Sequence, residues 1–96
     1  MAPQIRVYSP VVEIAMAPSR LAPRLASLAG KRIAFIHNGW QSLDATFAEF
    51  ARYLSARHAV AATFEVRKAY ASRPLPNAQF RRIAQEADAS IIALGN

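Results

Sequence analysis

The chain has 96 residues, of which 53% are hydrophobic and 19% charged, with a formal net charge of +6 and no cysteine. A chain of this length forms one small domain that buries roughly 60–65% of its unfolded surface, and its hydrophobic fraction excludes an intrinsically disordered protein. The lack of cysteine excludes a disulfide, a thiolate metal site and a thiol nucleophile within these residues.

The cellular location of the protein can be predicted from its apolar runs, which are all short. No run reaches the roughly 20 residues of a membrane span, and residues 1–30 lack the apolar core of a secretory signal. We therefore expect a soluble, cytoplasmic protein. The Arg-, Ala- and Pro-rich composition of residues 1–30 leaves a transit peptide as the alternative.

The positive charge comes from 12 basic residues against 6 acidic ones. Such a field attracts anions, which include nucleic acids, anionic metabolites and acidic partners. The arginines are scattered singly, apart from the pair Arg81 and Arg82, and they form no basic run or aromatic-interleaved stripe. This spacing disfavours nucleic-acid binding.

Residues 1–30 are predicted to form an extended amino-terminal arm, and residues 31–96 a βαβαβ domain. Prolines interrupt the short apolar patches of the arm, which allows at most short edge strands; they are Pro3, Pro10, Pro18 and Pro23. The arm is expected to contain one or two helical turns over residues 23–28, ended by Gly30.

The stretch from Lys31 to Trp40 contains an apolar run followed by the polar break His37-Asn38-Gly39. A continuous apolar run bounded by turn residues predicts a buried strand, here over residues 32–37. A loop at the carboxyl end of such a strand is where open α/β sheets bind ligands.

The rest of the chain alternates helix and strand patterns. Apolar residues spaced three and four apart predict two helices, and short apolar or alternating runs predict two more strands. The helices are expected over residues 43–58 and 77–87, the strands within 61–70 and over 91–94, with a loop at 72–76. The predicted fold class is α/β, a three-layer structure with a short parallel sheet of order 2-1-3, equivalent to an incomplete flavodoxin- or Rossmann-like half.

The third strand would leave an apolar run on an open sheet edge. Exposed apolar edges promote aggregation, and natural domains usually cover, bulge or charge them. We therefore expect either a homodimer mate or partner chain over this strand, or a carboxyl-terminal segment beyond Asn96 in a longer protein.

The loop after the first strand supplies the first candidate ligand-binding residues. His37 and Asn38 could bind an anion or a carbonyl, and Gly39 would allow close backbone approach. Asn-Gly is also a common tight turn, so a purely structural interpretation stays open. Trp40 could be a lid or stacking surface, or it could pack at the edge of the core.

The loop after the second strand supplies Ser72 and Arg73. Arg73 could reach an anionic ligand at the same sheet edge, or it could be a solvated loop arginine. The sequence has no Gly-rich phosphate loop, no paired metal ligands and no Ser-His-Asp spacing. We therefore predict no cofactor, no metal and no catalytic residue within this chain.

The chain resembles the UGSC-motif family in the order and spacing of four segments. These are LAPRLASL at residues 21–28 followed by Gly30-Lys31, the strand ending in His37-Asn38-Gly39-Trp40, the loop of residues 68–76 with Ser72 and Pro74, and the third strand ending in Ala93-Leu94-Gly95-Asn96. The family comprises bacterial proteins of uncharacterised role, named for selenocysteine or cysteine followed by Gly-Ser-Cys. The loop here begins with His37, where the family commonly has an aspartate.

The resemblance implies thiol- or selenol-dependent redox or nucleophilic chemistry for the full-length family, and none for this chain alone. In the family the motif follows directly on the Gly-Asn-like end of the third strand. The site's opposite wall is therefore expected just past Asn96, which is itself a candidate site residue. If the next residue is selenocysteine, its codon is UGA, and an ordinary gene caller would end the chain at Asn96.

Two other interpretations remain open. One is a self-sufficient α/β module that binds an anionic ligand through His37, Asn38 and Arg73 and dimerises through its third strand. The other is a non-catalytic subunit of a two-chain enzyme, whose partner supplies the nucleophile.

Overall fold

The computed structural model describes residues 2–12 and 19–95. The regular elements are β1 (Arg32–His37), α1 (Leu43–His58), β2 (Ala62–Arg67), α2 (Asn77–Glu86) and β3 (Ala89–Ala93). The strands form one sheet of order β2-β1-β3 in which both pairings are parallel. The predicted α/β class and the strand order 2-1-3 are confirmed.

The central strand β1 builds the core because its side chains alternate between two covered faces. On one face, Ile33 and Phe35 pack with Phe47 and other residues of α1, and the rings of Phe35 and Phe47 lie 4.8 Å apart. On the other face, Ala34 and Ile36 pack with residues of β2, α2 and the loop before it; these are Val66, Ile83 and Leu75. Helices on opposite faces of the sheet make the three layers that the sequence predicts.

The third strand is less buried than its apolar run suggests. It begins at Ala89, two residues earlier than predicted, and its side chains alternate between half-buried and exposed. Ile91 packs on the α1 face, but Ile92 is 67% exposed. The core on the other face is made by α2 with β1 and β2, so Ile92 lies beyond it.

At each end of β3, a side-chain hydrogen bond links the residue that flanks this strand to β1 or to the loop after β1. At the amino end, Asp88 accepts the Arg32 N–H at Oδ2 (2.9 Å) and donates its own N–H to the Arg32 carbonyl (2.8 Å). At the carboxyl end, the Asn38 side chain donates to the Leu94 carbonyl (2.6 Å). These contacts flank the paired residues, which run from Ile33 with Ala89 to His37 with Ala93.

The described part of residues 1–30 contains no helix or strand. The helical turns expected over residues 23–28 are wrong, since these residues are irregular and nearly all exposed. Gly30 instead forms a turn with φ +72°, in which its N–H donates to the Ala59 carbonyl at the end of α1 (2.9 Å). Part of the apolar patch predicted around residues 11–14 lies outside the described residues.

A helix that could cross a bilayer would need greater length and apolarity than the helices of the described ranges have, and none of them qualifies.

Candidate functional site

The carboxyl ends of the three parallel strands meet at one edge of the sheet. There β1 ends at His37, β2 at Arg67 and β3 at Ala93. Ligands of open α/β sheets bind at this edge, because the loops that leave the strands create a crevice. The candidate site is therefore built from the loops that follow these three residues.

Asn38 ties the end of β1 to the end of β3. Its backbone N–H donates to the Ala93 carbonyl (3.1 Å), and its side-chain amide donates to the Leu94 carbonyl (2.6 Å). The same side chain accepts the Trp40 N–H at Oδ1 (3.3 Å). One carboxamide thus fixes the chain direction after β3 and the shape of its own loop.

The loop after β2 is attached to the other side of β1. The Lys68 N–H donates to the His37 carbonyl (2.8 Å), and the Lys68 ammonium donates to the Ala71 carbonyl (3.0 Å). This places the 69–72 segment opposite the loop that begins at Asn38.

A cleft of about 490 Å³ lies between these two loops. Its lining residues are Asn38, Gly39, Trp40, Gln41, Ala69, Tyr70, Ala71 and Ser72. The lining combines carboxamide and hydroxyl groups with two aromatic rings. Such a mixture suits a small polar ligand that also offers a flat or apolar surface.

The predicted site residues fall into four groups. Asn38, Gly39, Trp40 and Ser72 line the cleft. Arg73 lies beside it, in a smaller pocket of about 230 Å³, where its guanidinium stacks 5.1 Å from the centre of the Tyr70 ring. His37 lies beneath the cleft, and Asn96 lies outside the described residues.

His37 is completely buried, and both of its ring nitrogens have partners. Nδ1 accepts the Gly39 N–H (2.9 Å), while Nε2 lies 3.0 Å from Oδ1 of Asp44. The ring edge packs against Phe47, with centroids 5.5 Å apart at 84°. Because Nδ1 accepts a hydrogen bond, these contacts assign the neutral tautomer with its proton on Nε2, donated to Asp44.

Asp44 and Arg67 complete this cluster. Arg67 Nη2 lies 2.5 Å from Asp44 Oδ1 and 3.2 Å from His37 Nε2. Two N–H donors cannot hydrogen bond to each other, so both donate to the same carboxylate oxygen. The hydrogen bond from Arg67, assisted by the one from His37, lowers the pKa of the Asp44 carboxyl below its ordinary value of 3.8.

Sequence reasoning missed Asp44 and Arg67 as parts of the site. Asp44 lies in the first turn of α1, and Arg67 is the last residue of β2. The register of the sheet pairs Arg67 directly with His37. The parallel pairing of the first two strands is therefore the signal that could have identified Arg67. It was not sufficient from the sequence alone, because the register of the pairing decides which residues are neighbours.

Glu65 joins His37 and Asp44 in a group of side chains that have metal-ligand chemistry. His37, Asp44 and Glu65 offer ligand atoms that all lie within 4.8 Å of one another. Arg67 already supplies positive charge to both carboxylates, at 2.5 Å from Asp44 and 3.9 Å from Glu65. The one His37 nitrogen that faces them carries a proton. The donor set therefore fits an ion-pair network and not a metal ion.

Comparison with known proteins identifies a family. No curated protein and no solved structure shows significant similarity to the chain. The model of the UGSC family matches residues 6–96, a range that contains all three strands, both helices and every residue of the cleft. The chain belongs to the UGSC family.

Proposed function

We propose that this chain forms the amino-terminal wall of a site for thiol- or selenol-dependent redox or nucleophilic chemistry. The reactive residue would belong to a Cys- or selenocysteine-Gly-Ser-Cys motif that follows Asn96. The chain itself contains no cysteine, so it would supply binding and positioning groups and no thiol nucleophile. The proposal rests on the family and on the two hydrogen bonds from Asn38 to the end of β3.

Those hydrogen bonds support the proposal because of where they hold the chain. Asn38 lines the cleft and also binds Leu94, so a residue shortly after Gly95 would start beside the cleft. A thiolate or selenolate that reached across the cleft would face the loop after β2, which carries Lys68 and Arg73. Nearby positive charge favours the ionised and reactive form, and a second cysteine three residues on could resolve an oxidised intermediate.

The test begins with the codons that follow Asn96. The proposal expects a UGA codon, or a cysteine codon, followed in frame by Gly-Ser-Cys. The extended chain, made with cysteine at the first motif position, should react with a maleimide faster at neutral pH than an unstructured peptide of the same motif. Absence of the motif, or reactivity equal to that of the peptide, would contradict the proposal.

Asn38→Ala in the extended chain measures how much the hydrogen bond from Asn38 to the Leu94 carbonyl contributes to the reactivity of the motif. We expect its maleimide reaction to be about three- to tenfold slower, the effect of roughly one net hydrogen bond. Gln85→Ala is the matched control and should react like the unmodified chain, because Gln85 lies near the end of α2, where its carbonyl accepts from Arg32 at the opposite, amino-terminal edge of the sheet. Equal rates for both variants would show that Asn38 does not position the reactive residue.

A binding module for an anionic ligand is the second candidate, favoured by the polar lining of the cleft. Asn38 and Ser72 would contact the ligand directly, and Arg73 would have to leave the Tyr70 ring to reach it. His37 would act from below through Gly39. Calorimetric titration of residues 1–96 with phosphate and with small carboxylates tests this candidate, because binding that disappears in Arg73→Ala would favour it over the leading proposal.

The partner of β3 is also a proposal. A strand from a second copy, from the following segment or from a catalytic subunit would cover the exposed side of β3, where Ile92 is 67% exposed. A well-behaved dimer of residues 1–96 in size-exclusion chromatography would favour the self-sufficient module. Association without a defined size would favour a covering segment that follows Asn96.

A further inference from the structure

We propose that Asp44 and Arg67 are positioning residues of the candidate site, because together they select the His37 tautomer that holds the Asn38 to Trp40 loop in place. The importance of this loop for chemistry rests on the proposed function. The selection of the tautomer does not, since it depends only on contacts within the described residues.

Gly39 determines which nitrogen of the His37 ring must accept a hydrogen bond. The Gly39 N–H points at Nδ1 of His37 over 2.9 Å, and Gly39 adopts φ +102°, a conformation that side-chain-bearing residues rarely reach. A neutral imidazole carries one proton, so this hydrogen bond requires the proton to be on Nε2. The other tautomer would place two N–H groups against each other at a ring that is itself fully buried.

Arg67 favours the opposite tautomer of His37. Its Nη2 lies 3.2 Å from His37 Nε2, and a guanidinium can only donate. On its own it would favour a lone pair on Nε2 and therefore a proton on Nδ1. That is the tautomer that Gly39 cannot accept.

Asp44 resolves this conflict between Gly39 and Arg67. Its Oδ1 accepts from His37 at 3.0 Å and from Arg67 at 2.5 Å. The carboxylate thus gives each of the two donors an acceptor and keeps the proton on Nε2. Asp44 reaches the buried ring from outside, since its own side chain is 56% exposed.

Removal of Asp44 should therefore move a proton and release the loop. In Asp44→Ala, the Arg67 guanidinium faces Nε2 directly, and the His37 proton moves to Nδ1. Gly39 then loses its acceptor, and the segment that lines the cleft shifts. The change is local because the substituted side chain is mostly exposed.

Three spectroscopic readouts follow this change at neutral pH. In the His37 ring, the nitrogen-15 chemical shift of Nδ1 should move to the value of a protonated nitrogen, and that of Nε2 to the value of an unprotonated one. The Gly39 amide, one of only 3 glycine amides, should exchange with solvent about three- to tenfold faster, the loss of one net hydrogen bond. Emission from Trp40, the single tryptophan, should shift as the loop moves.

The double variant Asp44→Ala/Arg67→Met is the decisive comparison. Without the competing donor, Gly39 alone decides the tautomer, so the proton should return to Nε2 and the Gly39 exchange rate should return toward that of the unmodified chain. A purely structural role for the two residues predicts the opposite, that the double variant is more disturbed than the single one. Arg67→Met alone should keep the proton on Nε2.

Glu49→Ala is the matched control, because Glu49 is an exposed acidic residue of α1 that also pairs with an arginine, Arg52. It should leave all three readouts unchanged. If Asp44→Ala does not fold by circular dichroism, Asp44→Ser replaces it, since serine suits a first helical turn and its hydroxyl is too short to replace the carboxylate.

A His37 ring that keeps its Nε2 proton in Asp44→Ala would overturn the inference, as would a double variant that does not recover. Neither result depends on thiol chemistry. Failure of the proposed function would instead appear as an unreactive extended chain whose His37 tautomer is unchanged.

Discussion

The two outer strands of the sheet differ in how well they are protected against pairing with another chain. On β2, Val66 is buried to 3% exposure, and the charged residues Glu65 and Arg67 lie on its exposed positions. On β3, the segment Ala89–Ala93 carries no charge, and Ile92 is 67% exposed. Charged residues on an edge strand disfavour pairing with another chain, whereas an uncharged apolar edge permits it. Of the two edges, β3 is therefore the one that would more readily accept a further strand.

The largest expected effect is on the free energy of unfolding, measured for one truncated side chain on each outer strand. Val66→Ala should lower the free energy of unfolding by about 1.5–3 kcal/mol, because it removes buried apolar surface. Ile92→Ala should change it by less than about 0.5 kcal/mol, as exposed substitutions usually do. Urea unfolding of the two variants measures both values. Similar losses at the two positions would mean that β3 is already covered in solution.

A charge placed on β3 should make its edge resemble that of β2. In Ile92→Lys, association of the chain in concentrated solution should decrease, since a lysine on an edge strand opposes pairing with a second strand. Light scattering over a concentration series measures the change. Phe50→Lys is the control, because it charges a similarly apolar position that is 43% exposed on α1, away from the sheet edge. An equal decrease in the control would assign the effect to net charge and not to the edge.

The smallest expected effect is a loss of stability at low pH, which arises from the ion pair between Asp44 and Arg67 of β2. The folded state lowers the pKa of Asp44 below 3.8, first through the Arg67 hydrogen bond, so the unfolded chain binds this proton more readily. The resulting stability is fully present above pH 3.8 and is lost as the pH falls through the lowered value. Thermal unfolding below about pH 4 should therefore differ less between Asp44→Ala and the unmodified chain than it does at pH 6. A difference that grows in acid would contradict this assignment.

The sequence predicted the elements whose signals are local. The apolar run of β1 was placed at its observed bounds, and the periodicity of α1 gave the observed helix over Leu43–His58. The alternation of helix and strand patterns was sufficient for the parallel order, because short crossovers leave few topologies. These signals also placed Asn38, Gly39 and Ser72 at the edge where the cleft is found.

The features that were missed depend on neighbours that are distant in sequence. The helical turns expected over residues 23–28 have the right local composition but lie on the surface, where no apolar face supports a short helix. The exposure of Ile92 depends on which strands α2 covers. The contacts of His37 with Asp44 and Arg67 depend on the register of β1 and β2, which no local pattern encodes.

Two side-chain hydrogen bonds determine the register of β3 against β1, and few other contacts of this strand do so. A slip by one residue would turn Ile92 toward α1 and Ile91 toward solvent, and the two isoleucines are chemically identical, so packing alone discriminates weakly between the two phases. Asp88 bonds Arg32 at one end, and Asn38 bonds Leu94 at the other. The strand can form both hydrogen bonds in only one register. The point at which the chain leaves the sheet after β3 is thereby specified by polar groups at its two ends.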